Sequence, residues 1–410
     1  MTISRTLPVV ATAVLLASLA GCSGQGNYTR EGVSMAKERM SFLKSATEWE
    51  LARQAFLAGD LEKALRKVDV SLDINDTVVK SHVLKGRILI EMGDLGNALQ
   101  SLRTASTLNP DEPDAHYYLG IVFERINEPE QAREHFELAS ELDDYNPSYA
   151  VAAAEMMIDL DRIDEAKAYL NSIPMAANNA GIRQSLGHIA LIEQQPKLAV
   201  KYFEQARLLA PDDAGIAEDL VHAQMQAGAW REAERGISLL LKKQENKGRD
   251  DLMILHAKAL MNTGRAVEAR TIYQGMVSRD EGRSDVDAWI GLANASFQVG
   301  DLRTVRKAAS RVVSLSPDSH DGFLLYAMYH RAQGDFASAL NSINTALQKQ
   351  PENASMFAFR AVVLGDMGRA QEALASITHA TKLEPRNPQY ARMLTDYTRG
   401  AFAGVATDSE

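Results

Sequence analysis

The chain has 410 residues, 46% hydrophobic and 24% charged, with a net charge of −10 and a single cysteine. That acidic balance argues against a surface that neutralises phosphates, so neither nucleic acid nor a Lys/Arg-driven hold on anionic lipid is expected. One cysteine excludes an intramolecular disulfide and any metal site built on several thiolates.

At the N-terminus Arg5 is the first charge, followed by a largely apolar stretch from Leu7 to Ala20 that ends Leu19-Ala20-Gly21-Cys22. A charged start, an apolar middle and small residues at the end are the layout of an export signal. The stretch is about fourteen residues against the roughly 20 that a spanning helix needs, so it is poorly suited to be a permanent transmembrane anchor. The Leu-Ala-Gly-Cys string resembles the lipobox of bacterial lipoproteins. That resemblance implies removal of residues 1–21, diacylation of the Cys22 thiol and acylation of the new amine. Several acyl chains, at about 0.8 kcal/mol per buried CH₂, hold a protein to a membrane with no protein–lipid contact. Ser23 follows the cysteine, where the sorting rule of such lipoproteins places Asp for retention in the inner membrane. The expected location is therefore the bacterial envelope, with the outer membrane favoured over the inner. Residues 22–30 are read as the lipidated cysteine and a short polar, Gly-bearing tether, with helix from Glu31.

From there the chain repeats itself. A turn-forming residue is followed five positions later by a small one in Gly59/Ala64, Gly93/Ala98, Asn127/Ala132, Asp161/Ala166 and Gln194/Ala199. Gly228/Ala233, Gly264/Ala269, Gly300/Val305, Gly334/Ala339 and Gly368/Ala373 continue the series, at successive spacings of 34, 34, 34, 33, 34, 36, 36, 34 and 34. In each unit a first helix carries a small residue where its partner crosses, such as Gly86, Gly120, Gly187 or Ala293. A tight turn follows, and then a second helix in which residues three and four apart, such as Ala132, Phe136 and Ala139, share one face. Pro110, Pro211, Pro317, Pro351 and Pro385 close many units, because proline does not continue the preceding helix. The two 36-residue spacings imply insertions near 244–250 (QENKGRD) and 279–285 (RDEGRSD), read as charged, exposed loops. Asp143-Asp144 and Asp212-Asp213, at or near repeat junctions, are read as helix starts that accept free backbone N–H groups. Residues 388–399 read as a capping helix and 400–410 as a frayed tail.

This pattern resembles the tetratricopeptide repeat over about residues 45–387. The resemblance implies an all-α, right-handed superhelical solenoid of about ten helix–turn–helix repeats, occupying residues 31–387 with its N-terminal helix. It also implies that partners lie against the first helices, in a concave groove. Carrying the groove positions over selects Trp49, Arg53 and Phe56, then Lys80, Val83 and Arg87, then Tyr117, Ile121 and Glu124. Val151, Glu155 and Ile158 follow, then His188 and Leu191, His222 and Met225, Ile254 and Lys258, and Ile290, Asn294 and Phe297. Such a surface suits an extended or helical peptide segment.

The residues offer little chemistry. No nucleophile elbow, phosphate loop, dinucleotide fingerprint or His-Glu-x-x-His string is present. Ser41-Phe42-Leu43-Lys44 matches Ser-x-x-Lys but lacks its companion motifs, and it is read as chance. His188 and His222 hold equivalent positions in adjacent units without an evident third ligand, so no metal is expected. The expectation is a non-catalytic protein-interaction scaffold, without cofactor or small-molecule substrate, for pilus, polysaccharide-export or cell-wall assembly. A docking subunit of an envelope enzyme, and a cytoplasmic adaptor if the N-terminus is not a signal, are the alternative readings.

Overall fold

The computed structural model describes residues 27–174 and 176–399. The expected signal, Cys22 and the tail from Gly400 lie outside the described residues. Within them the chain forms twenty-one α-helices and no strand. They are α1 (Asn27–Leu57), α2 (Leu61–Ile74), α3 (Val79–Glu91), α4 (Leu95–Leu108), α5 (Pro113–Arg125), α6 (Pro129–Leu142) and α7 (Pro147–Asp159). Next come α8 (Ile163–Ser172), α9 (Ala180–Ile192), α10 (Pro196–Leu209), α11 (Ala214–Gln226), α12 (Trp230–Leu240), α13 (Asp250–Asn262) and α14 (Ala266–Ser278). The last seven are α15 (Val286–Gln298), α16 (Leu302–Leu315), α17 (Asp321–Ala332), α18 (Phe336–Lys349), α19 (Ala354–Asp366), α20 (Ala370–Leu383) and α21 (Pro388–Thr398). Ten pairs and one closing helix thus realise the ten-unit solenoid expected from the spacing. Two compact units divide the chain between Ile189 and Ala190, inside α9.

In the first unit the small residues set how closely helices approach. A Cβ placed on Gly86 would meet Leu102, and one on Gly120 would meet Phe136, each at 2.5 Å. Glycine is thus required for the first helix of repeats 2 and 3 to lie against a bulky residue of its partner. Around these contacts Leu89, Leu102, Leu119, Phe123, Phe136 and Met156 form one buried cluster. The first repeat is tied differently. The Ser45 and Ser71 hydroxyls lie 2.9 Å apart, and Ser71 and Ser81 are also at 2.9 Å, so buried hydroxyls link α1, α2 and α3. Ser41, of the Ser-x-x-Lys string, donates to the Ile74 carbonyl at 3.0 Å and serves the same packing.

The turn within each pair needs one residue of positive φ. Seven pairs use glycine there, from Gly59 (φ 77°) to Gly368 (φ 73°), whereas repeats 3 to 5 use Asn127 (63°), Asp161 (59°) and Gln194 (57°). The left-handed region is unfavourable for residues with a Cβ, so these three turns are held by the helices on either side.

In the second unit the largest core cluster gathers Leu260, Tyr273, Met276, Trp289, Leu292 and Val312 around repeats 7 and 8. The closing helix α21 places Tyr390 and Tyr397 over the apolar face of α19 and α20. Tyr397 donates its hydroxyl to the Ala361 carbonyl at 2.8 Å.

Three sequence expectations are corrected. Helix α1 starts at Asn27, so residues 27–30, assigned to the tether, are helical. Asp213 does cap α11 through the Ile216 N–H, but Asp143 follows the end of α6 and accepts from Tyr145 N. The cap of α7 is Asn146, because Pro147 fixes the helix start three residues beyond Asp144. The insertions are folded rather than plain loops, with short 3₁₀ turns at Gln244–Asn246 and Glu281–Ser284. Asn246 is buried and donates to the Leu240 carbonyl at 2.9 Å.

Candidate functional site: a first-helix face in the first unit

Successive first helices α1, α3, α5 and α7 each present residues to one another, and their side chains interlock. Phe56 on α1 and Tyr118 on α5 enclose Arg87 of α3, whose guanidinium carbon lies 5.1 Å from the Phe56 ring centre and 4.9 Å from that of Tyr118. A cation over aromatic faces is attracted by their quadrupoles, more strongly as water is excluded. Arg87 has no carboxylate within 4 Å among the described residues, so its outward N–H groups are available to a ligand. At the edge of this stack the Trp49 indole donates to the Lys80 carbonyl at 3.0 Å, which ties α1 to α3.

The aromatic surface continues through Tyr117, whose ring centre lies 5.2 Å from Tyr118 and 4.9 Å from Tyr149 of α7. Tyr149 donates to Asp114 Oδ1 at 2.8 Å. Desolvation, reinforced by that carboxylate, drives the Tyr149 phenol well above its ordinary pKa, so it remains a donor. Desolvation raises the Tyr118 phenol too, opposed by the charge on Arg87.

Beyond the aromatics the face turns acidic. Partial desolvation first, and repulsion from Glu124 and Asp159 second, push the Glu155 carboxyl above its ordinary value, while His188 counters them. Arg53 is tied within α1, its Nε and Nη2 forked on Glu50 at 2.9 and 2.8 Å, which takes up much of its donor capacity. Lys80 and Glu124 are exposed and Ile121 is half-buried. Val83 is buried, packed with Ala105 and Ala115, and is core rather than contact surface.

In the second unit the equivalent positions are sparser. His222 is exposed, Met225 is half-buried against Val221 and Ile237, and Asn294 and Phe297 are half-buried. Among the described residues no group of three or more His, Cys, Asp or Glu is placed to hold a metal ion. No described helix is long and apolar enough to cross a membrane.

The residues that interlock were only partly selected from sequence. Tyr118 and Tyr149 were missed, because the groove positions transferred from the family follow one facet of each first helix. The side-by-side Tyr117-Tyr118 pair was the available signal, since adjacent helical residues point about 100° apart and one of them reaches the neighbouring helix.

Models of the TPR repeat match residues 86–127, and models of the tetratricopeptide repeat match residues 324–388. Together with ten helix pairs at this period, these matches show tetratricopeptide repeats in the chain, an architecture that serves as a protein-interaction scaffold and is typically non-catalytic. It is 26% identical over 350 residues to cellulose synthase operon protein C of Pseudomonas fluorescens (strain SBW25), covering 79% of this chain. The chain spans only 26% of that relative's length. It is 22% identical to the TPR repeat-containing protein YpiA of Bacillus subtilis (strain 168), over 72% of this chain and 69% of that protein. Among solved structures, that of PilW, a type IV pilus biogenesis factor, is similar to 50% of this chain and 95% of its own, at 18% identity and a TM-score of 0.43.

Proposed function

We propose that this protein is a lipid-anchored, non-catalytic scaffold of the bacterial envelope, held by an acylated Cys22, that takes a segment of a partner protein across the first-helix face of repeats 1 to 4. The observation that carries this reading is Arg87, half-buried between the Phe56 and Tyr118 rings and without a carboxylate within 4 Å among the described residues. A cation held this way has already lost rotamer freedom, so a ligand that pairs with it forfeits less on binding. Flanking Trp49 and Tyr117 supply rigid apolar contact, the kind of residue that dominates binding energy at interfaces, and the buried Tyr149 backs Tyr117 from beneath. Glu124 and Glu155 at the far end favour a segment whose charge runs from acidic or apolar opposite Arg87 to basic opposite the carboxylates.

Pilus, polysaccharide-export and cell-wall assembly are the processes this architecture suits. The name of the Pseudomonas relative puts polysaccharide first, and it keeps the second reading, a docking subunit of an envelope enzyme, worth testing.

The experiment has two arms. Detergent extraction of the full chain followed by mass spectrometry should find an N-terminus beginning at an acylated Cys22, and Cys22→Ser should move the protein out of the membrane fraction. Unchanged location of Cys22→Ser overturns the anchor and favours the cytoplasmic adaptor. Affinity capture with the native chain should bring down envelope proteins whose recovery falls about tenfold with Arg87→Ala or Tyr118→Ala, the weight of one hot spot. Equal recovery by those variants, with helical circular dichroism unchanged, overturns the face.

A further inference from the structure

The second insertion builds a feature lined mainly by the second helices of repeats 7 and 8. Between the C-terminal halves of α14 and α16 lies an open depression of about 730 Å³, bordered by Gln274, Ser278, Arg283, Lys307, Arg311 and Ser314, with Trp289 exposing an edge to it. The 3₁₀ turn Glu281–Ser284 walls it. The Arg283 carbonyl accepts three bonds there, from Trp289 Nε1 at 3.1 Å and from Arg311 Nε and Nη2 at 3.2 and 3.0 Å. Gly282 makes this possible, since a Cβ there would run into the Met276 carbonyl. Two inserted residues therefore fix both the aromatic and one cation of the cleft.

The charge is unusual for this chain. Helix α16 reads LRTVRKAASRVVSL, with Arg303, Arg306, Lys307 and Arg311 and no acidic residue, in a protein of net charge −10. Val305, Ala308, Ala309 and Val312 are its buried side. Helical spacing puts the four cations on the opposite facet, beside the exposed Ser310 and Ser314. Arg303 lies near enough to Asp301 to help hold that carboxyl low. Arg306, Lys307 and Arg311 have no carboxylate within 4 Å among the described residues, and Lys307 Nζ instead sits 5.9 Å from the Trp289 ring centre. The counter-charge at the rim is Asp280, which pairs with Arg283 at 3.1 Å.

We infer that this cleft is a second docking surface, for an acidic, Asp/Glu-bearing segment of a protein partner. Carboxylates accept from guanidinium, ammonium and hydroxyl groups together, and all three converge here. A free anionic membrane is a poorer fit, because the rest of the acidic chain is repelled by it while an acidic segment need only reach one repeat. The inference goes beyond the proposed function, since it concerns the second-helix side of repeat 8 and is independent of Arg87.

The test uses the full chain, a fluorescein-labelled peptide rich in Glu and Asp, and the same peptide with Gln and Asn. Anisotropy should report binding of the acidic peptide alone. Lys307→Glu with Arg311→Glu should weaken it at least about tenfold, whereas Lys242→Glu with Lys243→Glu, an equal charge change elsewhere in the second unit, should change it less than about twofold. Circular dichroism checks the fold, and Lys307→Gln with Arg311→Gln replaces the reversal if that variant is unfolded. Equal loss in the control pair, or equal binding of the neutral peptide, overturns the inference. So does a Lys307/Arg311-dependent hold on phosphatidylglycerol vesicles in the absence of peptide binding.

Discussion

Repeats 1 to 3 and repeat 8 use their positive charge in opposite ways. In the first, Arg87 is drawn in between rings contributed by neighbouring first helices, so the array's own periodicity builds the surface. In the second, the cations stand on the outer facet of one second helix, and a two-residue interruption of the period shapes the cleft beside them. A solenoid therefore has two sources of recognition surface: what the period stacks, and what departures from the period wedge apart.

The sharpest way to break this comparison is Trp289→Ala. Trp289 is buried among Tyr273, Val312 and their neighbours and also bonds the inserted turn. Its loss should cost about 3–5 kcal/mol and release the wall of the cleft. Urea unfolding measures the cost, and no loss of stability would mean that the insertion is decoration. Gly120→Ala probes the periodic side. Its Cβ would press on Phe136, and about 1–3 kcal/mol of destabilisation is expected in the same assay, against little change or a slight gain for Gly96→Ala, where nothing lies within 4 Å. A smaller effect, opposite in sign, should come from Gln194→Gly. Relief of the positive-φ turn should raise stability by up to about 1 kcal/mol, less the extra freedom glycine gives the unfolded chain.

The smallest effect is one of pH. Desolvation first, and the neighbouring His116 second, lower the pKa of His135, which stacks between His116 and Phe123. The folded state thus favours the neutral ring. Its contribution is present above the ordinary histidine pKa and is lost as pH falls below that range towards the folded value. A shallow drop in midpoint between pH 7 and about 5, abolished by His135→Phe, would bear this out.

The helix pairs were legible in sequence because one period controls turn, crossing and core residues together, so each unit repeats the same evidence. Asn127, Asp161 and Gln194 were recognisable as turn residues by register alone, although their side chains argue for it weakly. The folding of the insertions was not legible. QENKGRD and RDEGRSD look like solvated charge, and only the structure shows Asn246 buried and the Arg283 carbonyl collecting three donors. The candidate site fell between these cases. Phe56, Arg87 and Tyr117 follow the register, but Tyr118 and Tyr149 enter through contacts between helices that no single-unit pattern encodes.

The three turns without glycine follow one another, in repeats 3, 4 and 5, and this run has a consequence for local opening. Each of these turns holds a residue with a Cβ in the left-handed region, and nearest-neighbour coupling keeps any opening within one repeat or the next. The amides around Asn127, Asp161 and Gln194 should therefore exchange with solvent sooner than those around the glycine turns, as a soft stretch within an otherwise uniform array.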